Sequence, residues 1–285
     1  MVDVLVIGAG PAGITAAIYA KRAGANVIVL YNGESNLEKA HKIDNYYGFE
    51  NGIDGKSLYL AGIKQAQNLE IEVKKEEVFD IKKEGDVFYI ETENYGYEAK
   101  SVIIATGNKK LRPSIKGIMD FEGKGISYCA ICDGFFYRNK NVVVIGNGKF
   151  AIKEADDLKN IVNSVTILTN GDSIVDSSDY KVDTRKIKEI HGDKKVNAIE
   201  FEDGEMLPID GVFVAIGEAG GSDFAKKMGV ILNGDAIVVD ENMKTNIGGL
   251  YSCGNVSGGL LQVCKATYEG AKAGLAAIQY VKGNK

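Results

Sequence analysis

Apolar residues run in short blocks along this chain, and two of the blocks are followed by the same punctuation. Asp3 to Ile7 is an apolar run ending in Gly8-Ala9-Gly10-Pro11-Ala12-Gly13, then a helical stretch from Ile14 to Ala23 and a second run from Val27 to Leu30. Asn141 to Ile145 ends likewise in Gly146-Asn147-Gly148-Lys149-Phe150-Ala151. A helical pattern through Ala155, Leu158, Ile161 and Val162 follows, then Val165 to Leu168. Each copy predicts strand, glycine turn, helix and strand, the βαβ start of a dinucleotide-binding fold. Later runs, Gly211 to Gly217, Ile237 to Asp240 and Leu250 to Gly254, read as strands, and about Val263 to Val281 as a long helix packing through Ala and Gly. The expected fold is α/β, with two nucleotide-binding, Rossmann-like three-layer domains and the second inserted into the first. Residues 1–114 and 245–285 would form one domain and 115–244 the other, with crossovers near Leu111–Lys116 and Glu241–Thr245.

Composition narrows the function. Among 285 residues, 45 % are apolar and 26 % charged, ordinary for a folded soluble protein, and 35 Gly against 3 Pro suits tight strand-to-helix turns. A net charge of −5 gives no support to nucleic-acid or anionic-membrane binding. No apolar run reaches the roughly 18 residues of a membrane span. The start of the chain, acidic at Asp3 and without a basic leader, reads as a first strand rather than a signal peptide. A cytoplasmic location is expected.

Gly8-x-Gly10-x-x-Gly13 follows a strand and opens a helix, the context in which this pattern has meaning. Gly8 permits the tight turn, Gly10 lets backbone approach a pyrophosphate, and Gly13 allows close helix–strand packing, while the helix N-terminus offers N–H donors. The acid that usually ends the second strand to bind a ribose is displaced: Tyr31 and Asn32 stand there, with Glu34 just beyond.

Of four cysteines, Cys129 and Cys132 form a Cys-x-x-Cys pair, and Cys253 and Cys264 are separate. A short disulfide at a turn or helix start, with a thiol acidified by the helix, suits redox exchange, and Asp133 beside it can exchange a proton. The alternatives are a metal half-site, which lacks two further ligands because His41 and His191 are isolated in sequence, and a pair of inert thiols. No metal is expected. Cys253 and Cys264 read as small buried hydrophobes.

The order of these motifs resembles the low-molecular-weight thioredoxin reductases over nearly the whole chain. The likeness runs through Gly-Ala-Gly-Pro-Ala-Gly at 8–13, Asp44-Asn45-Tyr46-Tyr47-Gly48-Phe49 and Ile104-Ala105-Thr106-Gly107. It continues through Cys129-Ala-Ile-Cys-Asp-Gly134, the second glycine turn, and Cys253-Gly254-Asn255 with Gln262. The resemblance implies an FAD flavoenzyme in which Gly8, Gly10, Pro11, Ala12, Gly13, Asn45, Thr106, Gly107, Gly254, Asn255 and Gln262 bind the cofactor. It implies that Cys132 faces the flavin, Cys129 attacks the disulfide of thioredoxin and Asp133 donates a proton, in a homodimer whose domains rotate. Two departures stand out. Asn255 replaces an aspartate, and Ser35-Asn-Leu-Glu-Lys-Ala40 replaces a Gly-Gly-Gln-Leu segment.

The electron donor is the remaining question. NADPH-dependent members present arginines after the strand equivalent to Val165–Leu168, for the 2′-phosphate. This chain has Thr169-Asn170-Gly171-Asp172-Ser173 and no Arg from Asn139 through Thr184. The helix expected there is also shortened, and Phe150 is placed to crowd a pyrophosphate. NADPH is therefore disfavoured. NADH stays open, because Asp172 can accept from a ribose hydroxyl. The pattern is similar to the ferredoxin-dependent flavin thioredoxin reductases, which implies reduced ferredoxin as donor; a non-enzymatic FAD-binding redox sensor is the other class. Lys109, Lys110, Arg112 and Lys116, with Lys39 and Lys42, form either a docking patch for acidic ferredoxin or a solvated face.

Overall fold

The structure, a computed structural model, describes residues 1–33, 35–107, 113–174, 180–216 and 221–283, with the side chains of Lys39 and Cys132 outside the description. In chain order the first elements are β1 (Val2–Ile7), α1 (Pro11–Arg22), β2 (Val27–Tyr31), α2 (Gly55–Asn68), β3 (Glu72–Lys75), β4 (Val78–Glu84), β5 (Val87–Thr92) and β6 (Gly96–Ile104). Then come β7 (Ile126–Ser127), α3 (Ala130–Asp133), β8 (Asn141–Ile145), α4 (Lys149–Leu158), β9 (Ser164–Leu168) and β10 (Lys181–Asp183). The strands β11 (Ile187–Gly192), β12 (Val196–Phe201), β13 (Met206–Pro208) and β14 (Gly211–Val214) follow. The chain ends with α5 (Gly221–Lys227), β15 (Leu232–Asn233), β16 (Ala236–Ile237), β17 (Leu250–Ser252) and α6 (Val263–Gly283).

These elements form two compact units, Met1–Lys109 with Gly220–Lys285, and Lys110–Ala219. In the first, β3, β2, β1 and β6 pair in that order and in parallel, and the central strand β1 is buried, with Val4 and Val6 in the core under α1 and α6. Strand β6 uses its other edge twice: Gly96 to Ala99 pairs antiparallel with β5, and Val102 to Ile104 parallel with β17. Helices α1 and α6 pack closely over one face. A Cβ on Gly270 or Gly274 would strike the carbonyl oxygen of Ala12 or Ala16, so small residues let the two backbones touch.

In the second unit β10, β9, β8, β14 and β7 form a parallel sheet, joined by a small antiparallel sheet of β11, β12 and β13. Phe150, Ala151, Ala155 and Leu158 bring α4 onto one side of it, against Val142, Val144 and Ile167. Both predicted βαβ starts are present within a few residues of the expected bounds.

The expected return near Glu241–Thr245 lies later than the observed one. Residues 221–244 belong to the first unit. Gly221 sits against Ile104, Thr106 and Val256, and the Asn246 amide donates to the Gly229 carbonyl at 3.0 Å while accepting from Ile231 N–H at 2.9 Å. These contacts hold α5 and its neighbours to the ends of β6 and β17. Among the described residues, no helix is long and apolar enough to cross a membrane.

Replacing Gly274 by Val forces a side chain into the Ala16 backbone. Thermal unfolding should show a loss of about 1–3 kcal/mol and a lower melting temperature. Gly283→Ala, where an added Cβ meets nothing, should leave it unchanged.

Candidate active site

The first glycine turn is shaped by close approach. Gly8 has φ +111°, and a Cβ there would run into the Ala105 carbonyl oxygen; one on Gly13 would run into the carbonyl oxygen of Gly8 itself. The turn is pinned by Gly8 N–H on Leu30 O at 2.7 Å and Ala105 N–H on Ile7 O at 2.8 Å. Gly10 begins α1 in extended backbone with no side-chain cap, and a Cβ there would meet nothing. Pro11 has no N–H, so Ala12 and Gly13 supply the first-turn donors that lack intrahelical acceptors.

Other expected residues converge on this edge of the sheet. Thr106 follows β6, and its buried hydroxyl has no hydrogen-bond partner among the described residues. Gly107 is open at φ +74°. Gly254 (φ +81°) follows β17 closely, where a Cβ would come 2.8 Å from that of Ala12. The Asn45 amide donates to Gln262 Oε1 at 2.9 Å, although 217 positions separate them in sequence, and Asn255 lies in the short turn Gly254–Ser257 before α6. Uncapped N–H groups, a helix dipole, an orphan hydroxyl and no side chain in the way fit a dinucleotide pyrophosphate at the carboxyl ends of parallel strands. Glu34 lies outside the described residues. At the end of β2, Asn32 donates instead to Glu77 at 3.2 Å.

In the second unit, Cys129 stands directly before α3 and is disulfide-bonded. Cys132 lies within α3; its side chain is outside the description. The Ser127 hydroxyl, at the end of β7, accepts from Cys129 N–H at 3.1 Å and donates to Asp133 Oδ2 at 2.6 Å. Asp133 N–H returns to the Cys129 carbonyl at 3.2 Å. One hydroxyl thus ties the Asp133 carboxyl to the cysteine backbone. Burial, and secondarily the charge of Asp133, push the Tyr137 phenol above its usual value.

The second glycine turn repeats the first. A Cβ on Gly146 would meet the Ala215 carbonyl oxygen, and one on Gly148 nothing. A cavity of about 340 Å³ opens beside it, lined on its polar side by Ser114, Asn147, Thr169, Asn170 and Asp172. No Lys or Arg lines it among the described residues, and Asn147 reaches the Asp172 carboxylate at 3.5 Å. The reading of Phe150 needs correction. Phe150 is 3 % exposed and packs into the core below the turn, so it crowds nothing above it. No helix stands among the described residues between β9 and β10.

A model of the pyridine nucleotide-disulphide oxidoreductases matches residues 2–270. The chain belongs to that family. It is 33 % identical over 300 residues to a thioredoxin reductase of Borreliella burgdorferi, spanning 98 % of this chain and 92 % of that one. Among solved structures it resembles an atypical thioredoxin reductase from Desulfovibrio vulgaris Hildenborough, at 37 % identity and TM-score 0.90 over 99 % of both chains. It also resembles a ferredoxin-flavin thioredoxin reductase from Clostridium acetobutylicum, at 33 % identity and TM-score 0.69 over 99 % of this chain and 98 % of that one. Within the pyridine nucleotide-disulphide oxidoreductases it is a flavoprotein disulfide oxidoreductase, and its cofactor is FAD.

For an oxidoreductase of this family two residues escaped sequence reading. Glu269 accepts from Gly254 N–H at 2.8 Å, while the Lys265 ammonium donates to the Gly254 carbonyl at 2.9 Å and to that of Gly258. The two side chains, largely buried, pair at 2.9 Å one helical turn apart. The two peptide groups flanking Gly254 are thereby gripped from α6. The available signal was a Lys and a Glu four apart at the start of an Ala- and Gly-rich helix. A third, Glu154 of α4, accepts from Ala130 N–H at 2.6 Å.

Two further expectations change. Cys253 is buried, which pushes its thiol well above the usual range, whereas Cys264 is exposed rather than buried. His191 is not isolated: its Nε2 lies 2.8 Å from Glu200, and with Glu189 the three ligand atoms lie within 4.8 Å. Both carboxylates already hold lysines, Glu200 with Lys188 at 2.6 Å and Glu189 with Lys116 at 2.8 Å. Of the basic cluster, Lys109, Lys110 and Arg112 lie outside the described residues, and Lys42 is 4.0 Å from Asp44.

Lys265→Ala leaves Glu269 buried without its counter-charge, which should cost about 3–5 kcal/mol. Titration of apoprotein with FAD should show Kd raised about tenfold or more. Native labelling at mild alkaline pH should modify Cys264 and spare Cys253, whose raised pKa denies it a thiolate.

Proposed function

We propose that the chain is a thioredoxin reductase that takes electrons from reduced ferredoxin rather than from a nicotinamide nucleotide. The observation that carries this is the cavity at the second glycine turn, lined by Asp172 and, among the described residues, by no Lys or Arg. Its likeness to a ferredoxin-flavin thioredoxin reductase adds support. A one-electron protein donor needs no nucleotide cleft. NADH is the second reading, favoured by the open Gly148 and by Asp172 as an acceptor for a ribose hydroxyl.

On this reading Gly8, Gly10, Pro11, Ala12 and Gly13 hold the pyrophosphate of FAD through backbone and helix dipole, and the Thr106 hydroxyl gains a partner. Gly107, the Asn45–Gln262 pair and Asn255, kept in place by Lys265 and Glu269, take the rest. When bound, FAD accepts electrons singly and delivers them as a pair to a disulfide. Cys129 and Cys132 form the redox couple: Cys129, as thiolate, attacks the thioredoxin disulfide, one thioredoxin thiolate leaves, and Cys132 resolves the mixed disulfide. Asp133, oriented by Ser127, moves the proton. Cys129 is buried, so exchange with a protein partner calls for a movement that exposes it. The exposed Leu260, Leu261, Tyr268 and Leu275 favour a homodimer through the first unit.

Stopped-flow mixing should show the flavin bleached by reduced ferredoxin and left oxidised by excess NADPH or NADH within a turnover. Bleaching by NADH alone would select the second reading. Cys129→Ser should abolish thioredoxin reduction while FAD remains bound.

A further inference from the structure

The second unit holds a buried acid that the scheme above does not use. Glu154 is 1 % exposed, on α4 between the apolar Ala151, Ala155 and Leu158 that face the sheet. Its Oε2 accepts from the N–H of Ala130 at 2.6 Å, one peptide bond from Cys129. That is shorter than the roughly 2.9–3.0 Å of ordinary amide hydrogen bonds, as expected when the acceptor is a carboxylate. Burying a carboxylate costs several kcal/mol of desolvation, which an Ala or Leu here would avoid. A buried charge beside a cysteine that must change its protonation state has a direct chemical consequence.

We infer that Glu154 is a positioning residue of the redox couple: it fixes the amide that begins α3, and its negative charge disfavours the neighbouring thiolate. The inference rests on the reading that Cys129 belongs to a working couple. Reduction of the disulfide takes two electrons and two protons and gives two thiols. A fixed anion nearby favours the fully protonated dithiol over the thiolate, the opposite of what the start of a helix does. Glu154 therefore restrains thiolate formation while Asp133 handles proton exchange from the other side of the turn.

Other charged and titratable groups stand on the turn and on α4 among the described residues. Asp133 lies on α3 itself, Tyr137 and Arg138 belong to the following short turn, and Tyr128 precedes it. Along α4 stand Lys149, Lys153, Asp156 and Asp157, all less buried than Glu154. The strands beneath, β8 and β9, carry no charged residue. Of the acids on α4, Glu154 is the one fully buried and bonded to the redox turn.

The test uses FAD-loaded protein in a Cys264→Ser background, since Cys264 is exposed and would react. After reduction with dithiothreitol, the alkylation rate is followed against pH for Glu154 and for Glu154→Gln, which keeps an acceptor oxygen and loses the charge. The variant's profile should move to lower pH by about one unit, so that below the thiol pKa it alkylates about tenfold faster, with FAD content unchanged. Superimposable profiles would overturn the inference. A protein that gains no alkylatable thiol on reduction would sink the functional reading instead. Should the variant fail to fold, wild-type protein is examined by infrared difference spectroscopy with labelled glutamate. An ionised buried glutamate that responds to disulfide reduction supports the role, and one protonated in both states rejects it.

Discussion

In both units a carbonyl oxygen stands where a side chain would otherwise be, Ala105 O above Gly8 and Ala215 O above Gly146. A strand coming from far along the sequence must end against the turn that follows the first strand, and only a residue without Cβ leaves room. Everything else at the site depends on that contact. It sets the direction in which α1 or α4 departs, leaves the first-turn N–H groups facing the edge of the sheet, and brings Thr106 and Gly107 beside them. Glycine at 254, close against Ala12, extends the same close packing to β17.

The two units share this geometry and differ in what surrounds it. Around the first turn stand the unpartnered Thr106 hydroxyl and the peptides flanking Gly254, clamped by an ion pair. Around the second stand Asp172 and Asn147, with no helix among the described residues between β9 and β10. A backbone cradle binds a pyrophosphate in general. The neighbouring side chains decide which dinucleotide, if any, is kept.

Much of this was legible in the sequence because it is local. Alternation from apolar run to glycine turn to helical period reports β1–α1–β2 and β8–α4–β9 directly. What was not legible depends on direction and distance. Phe150 occupies a variable position of the turn, and whether its ring faces the ligand or the core depends on the rotation of α4. The second boundary was expected at residue 245 rather than at Gly220 because Ile237 to Asp240 reads as a full strand, while only Ala236–Ile237 pairs. Glu154, Lys265 and Glu269 look like ordinary helix-surface charges in one dimension. Their partners, the Ala130 and Gly254 peptides, lie far from them in sequence or beyond a turn that periodicity does not trace.

Strand β17 completes a sheet begun by β1 by pairing with β6, and helix α6 covers one of its faces. A growing chain therefore makes β1, α1, β2 and β6 long before it has the elements that bury them. At roughly 5–20 residues per second, the delay between Ile104 and Gly254 is on the order of ten seconds. During it the intervening Lys110–Ala219 segment, continuous in sequence, can already be a finished body. The cofactor compartment is then the last part to mature on the ribosome, with one edge of β6 still waiting for β17 and one face of the sheet waiting for α6.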